Sequence, residues 1–199
     1  MKMYDLEKRI WLRSDLTSKL IHLTRPKDER NAFENLIKIL CDKKLLASDD
    51  RGTIPGNIPC VCFQETPVEN LAETLVAELY FQDNQHQYKG YGIRVDKTKI
   101  FKSGGRPVIY DANDEIVNQI DQKWRLSTMN YQSSSYNVDW SHEREWRLPY
   151  DFCFEYSDID IIVTSVNKRK ELINWCERND RLEIVFECRS IFVLEGLAE

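Results

Sequence analysis

The chain has 199 residues, 42% of them hydrophobic and 31% charged, with a formal net charge of −5. That balance suits one globular unit burying roughly 70% of its unfolded surface, and the acidic excess argues against sequence-independent adhesion to nucleic acid, which needs a basic surface. Apolar stretches such as 159–166 fall far short of the roughly 20 residues of a membrane span, and the charged start of the chain lacks the apolar core of a secretory signal, so a cytoplasmic protein with no membrane contact is expected.

Lys19 to Thr24 is a short apolar run carrying His22 and broken by Arg25-Pro26, which suits a strand ending at a loop. Ala32, Phe33, Leu36, Ile37, Leu40, Leu45 and Leu46 then follow helical spacing and predict a helix over about 30–45. The turn signals at 49–52 and 55–56 precede an apolar strand over 59–63. Thr66-Pro67 with Glu69 has the form of a helix start, with Thr66 capping and the helix reaching about Phe81. A polar loop over 82–87 leads to two strands, 90–95 and 107–110, separated by a Gly104-Gly105 turn. Residues 113–129 carry a helical face at Ile116, Ile120, Trp124 and Leu126, and 130–137 is a polar loop. Residues 146–148, 159–164 and 182–186 have strand composition, 168–177 reads as a helix, and 191–194 suggests a last strand. No repeat or linker divides the chain. The expectation is therefore a single α+β domain over 1–199, a mixed or antiparallel central sheet with three to four helices.

The six cysteines lie in apolar or amphipathic runs and are expected to be reduced and mostly buried. Cys60-Val61-Cys62 lacks the spacing and second ligand pair of a zinc site, so no metal is expected. Nucleophile-elbow and phosphate-loop motifs are absent, and Gly90-Tyr91-Gly92 is too short for a dinucleotide fingerprint.

The segment Trp140 to Arg147 is the most unusual. In an extended conformation Glu143, Glu145 and Arg147 project to one face, and His142, Arg144, Trp146 and Leu148 to the other. Paired carboxylates can stabilise a developing cation or accept a proton, and an adjacent arginine keeps at least one ionised and oriented. The plainer alternative is an exposed strand whose ion pairs contribute less than about 1 kcal/mol each. His22 has two readings as well: a core histidine satisfied by a backbone partner, or a hydrogen bond to a ribose hydroxyl or pyrophosphate. Tyrosines 88, 91, 110, 131 and 136 either fill the core or offer a flat stacking surface.

His22-Leu23-Thr24, the helix at 32–46, Cys60-Val-Cys-Phe-Gln-Glu-Thr-Pro67, Gly90-Tyr-Gly-Ile93, Pro107-Val-Ile-Tyr110 and Ser141-His-Glu-Arg-Glu-Trp-Arg147 together resemble the bacterial AbiGi-like abortive-infection family over about residues 20–165. The broader layout resembles the ADP-ribosyltransferase fold, in particular its DNA-modifying toxin branch. This resemblance implies NAD as substrate, with His22 contacting it, Tyr91 or Tyr110 flanking the nicotinamide, Glu145 as the catalytic carboxylate and Glu143 positioning the acceptor. Thr24 and Arg147 complete the implied NAD-binding set. It further implies transfer of ADP-ribose to a nucleic-acid or protein acceptor in phage defence or a toxin–antitoxin pair, with a cognate toxin, antitoxin or phage protein as partner. The competing reading is a non-enzymatic defence or antitoxin component that binds a partner protein or nucleotide. A nuclease ranks third, because no persuasive acidic metal set with a lysine is present.

Overall fold

The computed structural model describes residues 15–48, 54–81, 90–111, 116, 119–129, 131 and 138–197. The expected turn at 49–52, the loop at 82–87 and, apart from residue 131, the loop at 130–137 lie outside them, as does much of 113–118.

Strand β1 (Lys19–Leu23) is followed by helix α1 (Ala32–Asp42), whose buried face carries Ala32, Phe33, Leu36 and Leu40. A capping box starts α1: the Asn31 side chain accepts from the Glu34 N–H, and the Glu34 carboxylate accepts from the Asn31 N–H. The helix ends sooner than its apolar spacing predicts because Lys43 is left-handed (φ 49°) and Lys44–Leu45 leaves as strand β2. Strand β3 (Cys60–Gln64) leads into helix α2 (Val68–Phe81), and strand β4 (Gly92–Asp96) runs directly into the short helix α3 (Lys97–Lys102). Strands β5 (Arg106–Pro107), β6 (Ile109–Asp111), β7 (Leu126–Thr128), β8 (Glu145–Pro149), β9 (Phe152–Cys153) and β10 (Ile159–Val163) follow. The chain then forms helices α4 (Val166–Arg178) and α5 (Glu183–Glu187) and strand β11 (Ser190–Val193).

Seven strands form one sheet in the order β11-β10-β4-β1-β3-β8-β5. Only the β10–β11 pair in it is parallel, with α4 and α5 as the crossover; the other pairs are antiparallel. This is the expected α+β architecture with a mixed sheet. Gly92 lets β1 and β4 approach closely, since a Cβ there would stand 2.2 Å from the His22 carbonyl oxygen.

Two apolar layers cover the sheet. Leu20, Val61, Phe63, Ile93, Val95, Trp146, Leu148 and Ile161 pack with α1, α4 and α5, while Ile21 and Ile162 pack with Val68, Leu71 and Ala72 of α2. β10 is buried throughout, as expected for a strand covered on both faces. Its one charge, Asp160, pairs with Arg94 of β4 at 3.0 Å.

Several expectations are corrected. Residues 182–186 have strand composition but 183–187 is the helix α5, closed by bonds such as Phe186 N–H to the Leu182 carbonyl. A short apolar run does not distinguish the two by periodicity. The helix expected over 113–129 gives way at 123–125 to a 3-10 turn and then to β7, which pairs parallel with β6. The strand expected at 107–110 is split at Val108, β5 pairing with β8 and β6 with β7. Five α-helices, the short α3 and α5 included, are delimited among the described residues where three to four are expected, and residues 116 and 119 are helical as well. Within α3, Lys97 pairs with Glu65 and Lys99 with Asp158.

Candidate functional site

β8 opens with Glu145, and the register Ile21↔Gln64 and Gln64↔Glu145 places these three side chains on one face of the sheet. Cys62 opposes Arg147 one pleat further on, so Cys62, Gln64, Glu145 and Arg147 share the α2 face. The Arg147 guanidinium, 3% exposed, grips the carboxylate at both oxygens, Nε to Oε1 at 2.8 Å and Nη2 to Oε2 at 2.9 Å. Its Nη1 donates to the carbonyls of Trp124 and Leu126. Burial alone would pull the guanidinium pKa down; the Glu145 hydrogen bonds outweigh it and hold the pKa above its ordinary value. Glu145 keeps 20% of its side chain exposed. The site therefore presents a fixed, partly solvated carboxylate.

Tyr110 joins this group from β6, its phenol oxygen accepting the Glu145 N–H at 2.8 Å. Burial, followed by the charges of Glu145 and Glu143, pushes the phenol up to about 12, so it is a neutral donor at neutral pH. Burial and the neighbouring Glu145 carboxylate likewise drive the Cys62 thiol far above its usual range, and Cys60 rises to about 11. All six cysteines are free.

Glu143 is not extended. Residues 141–143 form a 3-10 turn started by the Asp139 carboxylate, which accepts the Ser141 N–H at 2.8 Å, and Arg144 is left-handed (φ 45°). The even alternation expected from 143 to 147 therefore begins only at Glu145. The Asp-Trp-Ser sequence before it carries the turn chemistry that signals this break. Glu143 is nonetheless close to the group, since Gln64 Nε2 donates to its Oε2 at 3.2 Å.

His22, Thr24 and Tyr91 form a second group on the α1 face. The Thr24 hydroxyl donates to the Ala32 carbonyl at 2.8 Å, and the Tyr91 ring lies 5.4 Å from Phe33 with its hydroxyl oxygen 3.2 Å from Thr164 Oγ1. His22 stands edge-on to Phe63, and its Nδ1 is 2.8 Å from the Cys62 carbonyl oxygen. β1 and β3 pair through Ile21↔Gln64 alone. The imidazole thus bridges the seam where the two strands separate, touching the residue whose thiol lies beside Glu145. Burial lowers its pKa and the Arg25 charge adds to that, against the opposing Cys62 hydrogen bond, so His22 is neutral with Nδ1–H as donor and Nε2 as acceptor. The structure brings together Glu143, Glu145, Arg147 and Tyr110, and separately His22, Thr24 and Tyr91. Gln64, Cys62 and Glu65 are neighbours that spacing alone did not single out, although all three lie in the quoted segment 60–67.

A groove of about 500 Å³ lies elsewhere, between α1 and α4, lined by Phe33, Ile37, Lys170 and Trp175 among others. It contains none of the site residues. No helix among the described residues is long and apolar enough to cross a membrane.

Sheet and site together define an α+β protein with an arginine-anchored carboxylate at the start of β8, the strand next to the sheet edge at β5. No protein-family model matches the chain, and no curated protein matches it. Among solved structures, DarT of Thermus sp. 2.9, in complex with ADP-ribosylated ssDNA, is similar at 16% identity over 92% of this chain and 96% of that chain, with a TM-score of 0.46.

Proposed function

We propose that the protein is a cytoplasmic ADP-ribosyltransferase-type enzyme that breaks the nicotinamide–ribose bond of NAD beside Glu145. It passes the ADP-ribose to a nucleic-acid or protein acceptor in bacterial phage defence or a toxin–antitoxin pair. The observation that carries the reading is the Glu145 carboxylate itself, held at both oxygens by a buried guanidinium and still open to solvent. As the bond to nicotinamide lengthens, positive charge develops at the ribose carbon, and an anion already fixed beside it stabilises that charge without reorganising. Arg147 holds the carboxylate in place, and the oxygen lone pairs it leaves unused accept the ribose 2′-hydroxyl. Tyr110 supplies a neutral O–H towards the same region, and Glu143, steadied by Gln64, meets the acceptor. His22, Thr24 and Tyr91 stand on the opposite face of the sheet from Glu145, and their contact with NAD rests on the resemblance alone.

The test is incubation with labelled NAD and mixed DNA, RNA and protein, comparing wild type with Glu145→Gln. Nicotinamide release and label transfer are expected to fall by about 10²–10³-fold in the variant, the usual cost of removing one preorganised electrostatic group. A second reading, a non-enzymatic defence or antitoxin component, is favoured by one observation: Arg147 already occupies both Glu145 oxygens and two backbone carbonyls, a complete structural unit. Absence of NAD turnover by the wild type with every acceptor would establish that reading instead.

A further inference from the structure

Glu65 lies at the mouth of the turn after β3, on the face of the sheet opposite Glu145, and the proposed chemistry does not use it. Its carboxylate accepts the Trp146 indole N–H at 2.7 Å, Arg144 Nη2 at 3.1 Å and Lys97 Nζ at 2.6 Å. Its backbone N–H donates to the Arg144 carbonyl at 3.2 Å. One side chain therefore holds both chain neighbours of Glu145. Glu65 is 14% exposed and Lys97 15%, so these charged contacts are weakly screened. Arg144 is in the left-handed region, where a side-chain-bearing residue persists only if its surroundings over-determine it. Glu65 from one side and the Asp15 carbonyl, 2.6 Å from Arg144 Nη1, from the other provide that restraint.

We infer that Glu65 is a positioning residue for Glu145. By clamping Arg144 and Trp146 it fixes where β8 begins and hence the direction in which the Glu145 carboxylate leaves the sheet. The clamp is a matter of geometry, and its catalytic consequence rests on the NAD reading above.

The test uses Glu65→Gln, which keeps the size of the side chain and removes its charge, with two readouts. Hydrogen exchange in the native full-length chain is expected to quicken about tenfold over residues 143–147, while β10 exchanges as in the wild type. Under NAD turnover, kcat is expected to fall by about 10–100-fold with KM for NAD within about twofold, since Glu65 touches no substrate. Glu65→Asp, retaining the charge, is expected to recover part of both. Unchanged exchange over 143–147, or acceleration shared equally by β10, overturns the clamp whatever NAD does. Faster local exchange with unchanged kcat overturns its catalytic role. Faster local exchange in a chain whose wild type turns over no NAD upholds the clamp and sinks the NAD reading instead.

Discussion

At His22 the fold holds an imidazole neutral by burial, with its hydrogen-bonding proton spent on the Cys62 carbonyl. Its folded pKa is depressed below the ordinary histidine value of about 6.5. Between that value and the lower folded one, the unfolded chain takes up a proton that the native chain does not, so stability is complete above the unfolded pKa and declines as pH falls. Urea midpoints at pH 7.5 and 5.5 should therefore drop further for wild type than for His22→Gln; equal drops would show that the imidazole is not held neutral. Several carboxylates, including Asp139 and Asp151, have pKa values lowered by hydrogen bonds, so their protonation acts at more acid pH and does not share this window. The pairing of Glu145 with Arg147 was legible in the residues, because two positions apart on a strand means one face. The place of Glu143 was not, because a left-handed residue at 144 breaks the alternation, and whether a non-glycine residue adopts that conformation depends on contacts such as those with Glu65 and Asp15.

Elements whose apolar spacing is their own are legible in the sequence, and elements decided by their neighbours are not. Helix α1 follows from its apolar spacing, and its start is written in Asn31 and Glu34. Asn31→Ala removes the side-chain half of the capping box and should lower unfolding free energy by about 1 kcal/mol in chemical denaturation, with α1 amides exchanging first. No measurable loss would mean that tertiary packing alone holds the end of α1. Residues 182–186 show the opposite case. Their composition favours a strand, yet the place beside β10 is taken by β11 from further along the chain. The run closes as α5, burying Ile184 instead. The segment Lys123–Thr128 likewise turns away from helix where β6 offers a parallel partner at Leu126 to Thr128.

Across the whole molecule the sheet is held from two sides, and β10, between β4 and β11, is buried along its whole length. Ile161 is fully buried and opposes both Ile93 and Ile191. Ile161→Ala leaves a cavity that neighbouring strands cannot collapse into, and should cost about 2–5 kcal/mol in chemical denaturation. A loss under about 1 kcal/mol would show that the sheet relaxes more freely than close packing allows. By itself the chain determined the α+β class, α1, α2, α4 and most sheet strands, because side-chain periodicity and capping chemistry are properties of neighbours in sequence. It also marked Glu145 beside Arg147. Only the tertiary structure decided strand order, the division of the candidate residues between two faces, the seam bridged by His22 and the clamp at Glu65. Those depend on contacts between segments far apart in the chain, 81 residues for Glu65 and Trp146 and 129 for Asp15 and Arg144, and no local pattern encodes which distant strand will be paired.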